Sequence, residues 1–236
     1  MESKNKYLLV SHGSRDARPQ IAIEKIAEIL TDRLAISQKC VGTATLELGL
    51  TSLADQICQF ATSHPIYNQI QILPLFLLPG VHVKEDIPAE IENARSTLGK
   101  NININLLPYI GTHARLVNLL ANQKKSISAT AWVLMSHGSS RPGANQPVEE
   151  IAGQLGMVTA YWSVQPNLET QIRVLVNLGY RQIGILPYFL FVGGIIDAIE
   201  QKIYQLSQEF PSVEFKFLSP IGPSMELVDL ILDLLK

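Results

Sequence analysis

The sequence has few of the residues that would mark an extracellular protein. Among its 236 residues there are two cysteines, Cys40 and Cys58, and they form neither a CxxC pair nor a zinc-binding spacing. Both lie in apolar stretches, so we expect buried thiols in a reducing compartment. The polar start MESKNKYLLV does not resemble a signal peptide. We therefore predict a cytoplasmic protein, or an organellar one whose transit peptide has been removed.

Charge and long apolar runs are also scarce. The formal net charge is −2, so no strong positive field favours nucleic acid or an anionic membrane. No apolar run approaches the ~20 residues that a membrane-spanning helix needs. Because apolar residues still make up 47% of the chain, it can bury a sizeable core. A folded protein without nucleic-acid or membrane partners is predicted.

Three segments of the sequence occur twice, in the same order, once in each half. The pairs are SHGSRD (11–16) with SHGSSR (136–141), ILPLFLLPGVHVKEDI (72–87) with ILPYFLFVGGIIDAI (185–199), and LLPYIGTHARLVNLL (106–120) with FLSPIGPSMELVDLI (217–231). Repeats in constant order indicate two similar halves. The polar stretch NQKKSISAT (122–130) separates them, so we predict an N-terminal domain at 1–125 and a C-terminal domain at 126–236.

Each half alternates short apolar runs with amphipathic ones. YLLV and ILPLFLL are apolar without alternation, as in strands buried on both faces, whereas IAIEKIAEILTDRL has helical spacing. The predicted strands lie near 6–11, 40–47, 69–76, 103–108, 130–136, 157–163, 182–189 and 213–218. The predicted helices lie near 18–36, 51–63, 86–98, 113–124, 145–155, 167–178, 195–209 and 224–235. This order predicts two tandem, similar α/β domains, each a four-stranded parallel sheet flanked by helices, with the active cleft between them.

Four polar residues follow predicted strands of the first half: His12, Glu47, His82 and His113. Ligands of open α/β sheets bind beyond the carboxyl ends of the strands, so these residues are expected at one edge of the sheet. An unpaired carboxylate is costly in a core, which favours a functional role for Glu47 between its two leucines. We expect His113 to help start the fourth helix, and His64 to lie on the surface of the opposite edge.

Two imidazoles and a carboxylate at one sheet edge suit two kinds of chemistry. Imidazole binds divalent transition metals, and it exchanges protons near neutral pH. The spacing provides no closed set of four ligands, so an open or transient metal site fits better than structural zinc. For His12 a structural role is equally open, because the turn HGS could instead cap the first helix.

Three motifs together resemble the CbiX/SirB class of sirohydrochlorin chelatases in its long form: LLVSHGSRD, LELGLTSLADQI and ILPLFLLPGVHVKEDIP. The resemblance covers essentially the whole chain, and the third motif is the most specific. It implies insertion of Fe²⁺ or Co²⁺ into sirohydrochlorin with release of two protons, the metal being a substrate and no cofactor being permanently bound. It further implies that His12 and His82 bind the metal or accept protons, and that Glu47 completes the catalytic set.

The family's octacarboxylate substrate implies that cationic and N–H-rich groups line the site. The candidates for substrate binding lie in the loops after predicted strands: Ser11, Gly13, Ser14, Arg15, Pro79, Val81, Lys84 and Arg141. The arginines could clamp carboxylates with two hydrogen bonds, and the serines and the glycine could supply donors at the start of a helix. Pro79 and Val81 could contact the ring. For each cation, a solvated side chain is the alternative.

The second half retains one member of the catalytic set. The counterparts of His12, His82 and Glu47 are His137, Ile195 and either Trp162 or Ser163. We therefore predict one active site, in the N-terminal half. For His137 we favour a structural role as the cap of its helix over the alternative, contact with substrate. A monomer is expected, because short members of the family dimerise to build what this chain builds by duplication.

Two other functions compete with this one. A histidine phosphatase has an arginine before its nucleophilic histidine, whereas Ser11 precedes His12 here. A non-catalytic, two-lobed carrier of a tetrapyrrole or a metal is the alternative, but the presence of both histidines beside a glutamate favours chemistry.

Overall fold

The computed structural model describes residues 5–63 and 67–236, so His64 lies outside the described part. Within that part, eight strands alternate with eight α-helices. The strands are β1 (Asn5–Ser11), β2 (Val41–Thr45), β3 (Gln69–Pro74), β4 (Asn103–Leu106), β5 (Ala131–Ser136), β6 (Val158–Tyr161), β7 (Gln182–Pro187) and β8 (Glu214–Phe217). The helices are α1 (Ala17–Leu34), α2 (Leu53–Thr62), α3 (Ile87–Leu98), α4 (Leu116–Lys125), α5 (Gln146–Leu155), α6 (Leu168–Asn177), α7 (Gly194–Glu209) and α8 (Met225–Leu234). Every predicted element is present.

Each half builds its own four-stranded sheet. The strand order is β2-β1-β3-β4 in the first sheet and β6-β5-β7-β8 in the second, and all neighbouring strands are parallel. The central strands β1 and β5 are buried along nearly their whole length, which explains why their sequences are apolar without alternation. The predicted fold, two similar α/β units with helix-flanked parallel sheets, is confirmed.

Separate apolar cores stabilise the two sheets. In the first, Val10 and Ile72 of the strands pack with Ile57 of α2 and Ile87 of α3. In the second, strand residues such as Ile185 pack with helix residues such as Ile199. Burying one such side chain contributes about 1.5–3 kcal/mol, so each sheet is anchored by its own helices. Among the described residues, no helix is both long enough and apolar enough to cross a membrane.

The compact units of the structure differ from the halves of the sequence by one helix each: α8 belongs to the first unit and α4 to the second. One unit contains the described residues up to His113 together with Pro223–Lys236, and the other contains Ala114–Gly222. Helix α8 thus packs with α1, and α4 packs with α5 and β7. The predicted division at 1–125 and 126–236 follows the repeat, whereas packing follows the apolar faces that these helices cover.

Polar contacts accompany helix α8. In the first unit, an Arg33 guanidinium nitrogen of α1 lies 2.9 Å from a carboxylate oxygen of Asp229 in α8. In the same unit, His113 Nε2 lies 3.8 Å from Asp233 Oδ2, and its side chain is 12% exposed. His113 therefore contacts the last helix of the chain, and α4 begins only at Leu116.

Candidate metal centre

The ends of β1 and β2 bring His12 and Glu47 together. The two strands run parallel up to Ser11 opposite Thr45. Beyond them, the Leu46 N–H donates to the Ser11 carbonyl at 2.9 Å, and the Glu47 N–H donates to the His12 carbonyl at 2.8 Å. Because these bonds extend the ladder past the sheet, the side chains meet, with His12 Nε2 3.8 Å from Glu47 Oε2.

Gly13 allows the two loops to approach this closely. Its φ of +97° lies in the region that favours glycine. A Cβ atom at Gly13 would lie 2.0 Å from the carbonyl oxygen of Glu47, so a larger residue would displace that loop. The structure thus shows a positioning role for a glycine that the sequence singled out for substrate binding.

His82 reaches the same place from the loop after β3. It opens a single π-helical turn, His82–Asp86, in which the Ile87 N–H bonds to the His82 carbonyl. Such turns are rare and occur frequently at functional sites. The His82 ring packs edge-on against the His12 ring, with the centroids 4.7 Å apart.

The three side chains form a cluster with the composition of a transition-metal site. One ligand atom each from His12, Glu47 and His82 lie within 4.8 Å of one another. Metal–ligand bonds are about 2.0–2.2 Å long, so a small convergence of these side chains would place one ion among all three. His12 and Glu47 are exposed and His82 is half-buried, which fits an open site rather than a closed structural one. In residues 5–63 and 67–236 no second cluster of three such ligands occurs.

The contacts at Nδ1 leave Nε2 of both histidines available to a ligand. The Gly13 carbonyl oxygen lies 3.3 Å from His12 Nδ1. Asp86 Oδ2 lies 2.7 Å from His82 Nδ1. A donor bond at one ring nitrogen leaves a lone pair on the other, so the geometry favours two imidazoles that present Nε2.

Asp86 is the residue of this site that sequence reasoning missed. The signal was present, since a carboxylate four residues after a histidine in HVKED lies on the same side of a helical turn.

Leu48 and Leu50 were also missed by the sequence analysis. They follow Glu47 and are 59% and 107% exposed, and Leu48 has a φ of +58°. These exposed apolar side chains next to Glu47 are candidates for contact with an apolar ligand.

Several residues proposed for substrate binding have structural contacts. Ser11 is buried, and its carbonyl holds the loop after β2. The Ser14 hydroxyl accepts the Asp16 N–H at 3.0 Å, and Asp16 in turn caps α1 through the Arg18 N–H. The helix cap is therefore Asp16, and His12 does not perform it.

The remaining candidates for substrate binding are accessible. Arg15 and Lys84 are exposed, and Pro79 and Val81 are half-buried. In the described part of the chain, neither Arg15 nor Lys84 makes an ion pair. Arg141 is likewise exposed and belongs to the second unit. Exposed, uncompensated cations beside the loops after β1 and β3 remain suited to binding carboxylates.

The second unit shows which residue replaces the glutamate. The Ser163 N–H donates to the His137 carbonyl at 2.9 Å, which repeats the bond from Glu47 to His12. Ser163, rather than Trp162, therefore occupies the glutamate position. His137 does not cap a helix, since the N-cap position of α5 is Asn145; its side chain is exposed.

Comparison with known proteins agrees with this architecture. The CbiX family model matches residues 6–127 and matches again at 131–236. The chain therefore belongs to the CbiX family, and it contains two copies of the family's unit.

Individual relatives have related names. A sirohydrochlorin ferrochelatase of Priestia megaterium is 28% identical over 222 residues, which are 86% of this chain and 79% of the relative. A sirohydrochlorin cobaltochelatase of the same organism is 28% identical over 171 residues, 66% of this chain and 56% of the relative, so the match spans about half of that protein. The solved structure of the sirohydrochlorin chelatase SirB from Bacillus subtilis subspecies spizizenii, in complex with cobalt, is 25% identical with a TM-score of 0.75, covering 98% of this chain and 93% of that one.

Proposed function

We propose that the protein is a sirohydrochlorin chelatase, which inserts Fe²⁺ or Co²⁺ into sirohydrochlorin and releases two protons. The observation that carries the proposal is the open cluster of His12, Glu47 and His82, whose ligand atoms lie within 4.8 Å of one another. Membership of the CbiX family and relatives named for both metals support the choice of substrate.

The geometry suits a reaction that exchanges two ring protons for one metal ion. His12 and His82 hold the incoming ion through Nε2 while its water ligands leave. As the macrocycle nitrogens bind the ion, their two N–H protons must pass to bases. Glu47 Oε2, 3.8 Å from His12 Nε2, is placed to accept a proton and relay it to solvent. A neutral imidazole released by the ion accepts the other.

Substrate recognition follows from the surfaces around the cluster. Arg15 and Lys84, beside the loops after β1 and β3, pair with carboxylates of the macrocycle. Leu48 and Leu50 give its apolar face a surface beside Glu47. An octacarboxylate tetrapyrrole has an anionic rim and an apolar face. One ligand can therefore contact both the cationic side chains and the leucines.

The proposal places the active site in the N-terminal repeat, residues 1–125, and makes residues 126–236 a degenerate repeat. We further propose a cytoplasmic monomer without a permanently bound cofactor, the metal being a substrate. Two free thiols, Cys40 and Cys58, are consistent with a reducing compartment. Light scattering of the purified chain tests the oligomeric state.

A turnover assay tests the function. Purified protein is mixed anaerobically with sirohydrochlorin and either Co²⁺ or Fe²⁺, and the macrocycle absorbance is followed. We expect acceleration over the spontaneous reaction that is lost in Glu47→Ala and kept in Ser163→Ala, the matched change in the second repeat. A wild-type rate equal to the spontaneous rate, with sirohydrochlorin still bound, would instead identify a carrier.

A further inference from the structure

The π-helical turn joins a catalytic histidine to a carboxylate that the reaction itself does not require. Asp86 Oδ2 lies 2.7 Å from His82 Nδ1, which is hydrogen-bond distance. We infer that Asp86 is a positioning residue: it holds the His82 ring so that Nε2 points towards the metal. This inference rests on the proposed function for its role, but its geometry can be tested without turnover.

The carboxylate of Asp86 is committed to His82 rather than to the helix that follows. The π turn runs directly into α3, so Asp86 has helical backbone angles (φ −68°, ψ −49°) instead of the extended ones of a helix cap. Its side chain accepts no backbone N–H of that helix. In the described part of the chain, its hydrogen-bond partner is His82. Capping of α3 therefore does not explain the aspartate, whereas orienting the imidazole does.

One extra residue in the first repeat creates this arrangement. From Ile72 to Ile87 the first repeat is one residue longer than the second from Ile185 to Ile199. Ile87 and Ile199 are both fully buried at the ends of these segments, so we take them as equivalent positions in the packing of α3 and α7. The π turn, which closes over one more residue than an α turn, absorbs the insertion before Ile87.

The second repeat shows what the same segment does without the insertion. Helix α7 begins directly at Gly194, and its second residue, Ile195, packs against the core of its sheet. The position that corresponds to Asp86 is Ala198 when counted back from Ile199. The second repeat thus lacks the π turn and also lacks counterparts of His82 and Asp86. This indicates that the turn, the histidine and the carboxylate act together.

A carboxylate at Nδ1 has two effects on a metal-binding imidazole. It selects the tautomer that carries hydrogen on Nδ1, and it makes Nε2 a stronger donor. Loss of such a partner typically lowers metal affinity or activity by about 10–100-fold. At His82 the effect should fall on the metal and leave binding of the macrocycle unchanged.

The test compares Asp86→Ala, Asp86→Asn and Asp86→Glu with Glu85→Gln. Glu85 is an exposed carboxylate of the same turn, so this control removes an equal charge beside the site. We expect Asp86→Ala to weaken Co²⁺ binding, measured by calorimetry without sirohydrochlorin, by about 10–100-fold. Its KM for Co²⁺ should rise while the KM for sirohydrochlorin stays constant, and Asp86→Glu should recover much of the loss.

Nitrogen NMR of histidine-labelled protein at fixed pH provides a readout that a structural role would not move. The wild type should show His82 with hydrogen on Nδ1, and Asp86→Ala should show a mixture of tautomers. Equal Co²⁺ affinity and an unchanged tautomer in Asp86→Ala would overturn the inference. If Asp86→Ala does not fold, Asp86→Asn decides through the Co²⁺ affinity, because its amide keeps the shape of the side chain but lacks the charge that strengthens Nε2. A wild type that binds Co²⁺ but does not turn over sirohydrochlorin would refute the proposed function and leave this inference to be judged by the binding and NMR data.

Discussion

At the edge of the first sheet, two loops and a π turn bring together two imidazoles and a carboxylate. The same edge of the second sheet has identical strand order and the same backbone bond from the second loop to the first, yet presents a serine at the glutamate position and an isoleucine at the second histidine position. The strand arrangement and the loop bond therefore do not depend on which side chains occupy these positions. A repeat can lose its ligands while the buried strands that place them persist, because the core and the loops are under different physical constraints.

The largest effect is expected from giving the first repeat the second repeat's residue at the histidine of the π turn. His82→Ile should lower the chelatase rate by about 100-fold or more, because it removes a metal ligand and a proton acceptor. The rate of metal insertion at saturating sirohydrochlorin measures this. His137→Ala, the matched histidine change in the second repeat, should retain the wild-type rate. Equal loss in both variants would contradict a single active site.

The next largest effect is expected at the glycines after the first and fifth strands. Gly13→Ala and Gly138→Ala both place a Cβ at a positive φ, which costs about 1–2 kcal/mol, so both should lower the free energy of unfolding in urea. The Cβ at Gly13 would meet the carbonyl of Glu47, whereas that at Gly138 would meet side-chain atoms of Tyr161 and Val164. Only Gly13→Ala should therefore reduce activity in the folded protein. An active Gly13→Ala would show that the Glu47 loop is not held by this contact.

A smaller effect is expected from the exposed leucines. Leu50→Ser should raise the KM for sirohydrochlorin roughly threefold to tenfold, since contact with one leucine side chain contributes about 1 kcal/mol. Stability should change by less than about 0.5 kcal/mol, because the side chain is on the surface. Leu178→Ser, at a 70% exposed leucine of the second unit, is the control and should leave the KM unchanged. The same KM in both variants would remove Leu50 from the substrate surface.

The smallest expected effect is a change in acid stability, and it arises from an ion network in the second unit. Hydrogen bonds from Lys202 and Arg173 lower the pKa of Glu169 from 4.5 to about 2. Because this pKa is depressed in the folded state, the stabilisation is present above pH 4.5 and is lost as the pH falls towards 2. Glu169→Gln should flatten the pH dependence of unfolding in that window, without changing activity at neutral pH. Glu150→Gln, outside this ion network, should keep the wild-type slope.

Much of the architecture could be predicted from the sequence because it depends on strong local patterns. Unbroken apolar runs predicted the central strands, and the ends of most elements agree with the structure within three residues. The rule that parallel strands share a carboxyl edge placed His12, Glu47 and His82 together. Prediction was poorer where one residue mattered, as in the choice between Trp162 and Ser163, because apolar periodicity does not encode the backbone bonds that continue a ladder beyond the sheet.

The residues alone are enough to predict a duplicated α/β protein, with two histidines and a glutamate together in one repeat, since repetition and buried-strand composition can be read from them directly. Which helix covers which sheet depends on tertiary packing, because α4 and α8 bury apolar faces that several surfaces could accept. Tertiary packing also decides that Gly13 lets the Glu47 loop approach His12, and that Asp86 contacts His82. Both contacts depend on a positive φ or a π turn, which are conformations that tertiary packing imposes and residue propensity does not specify.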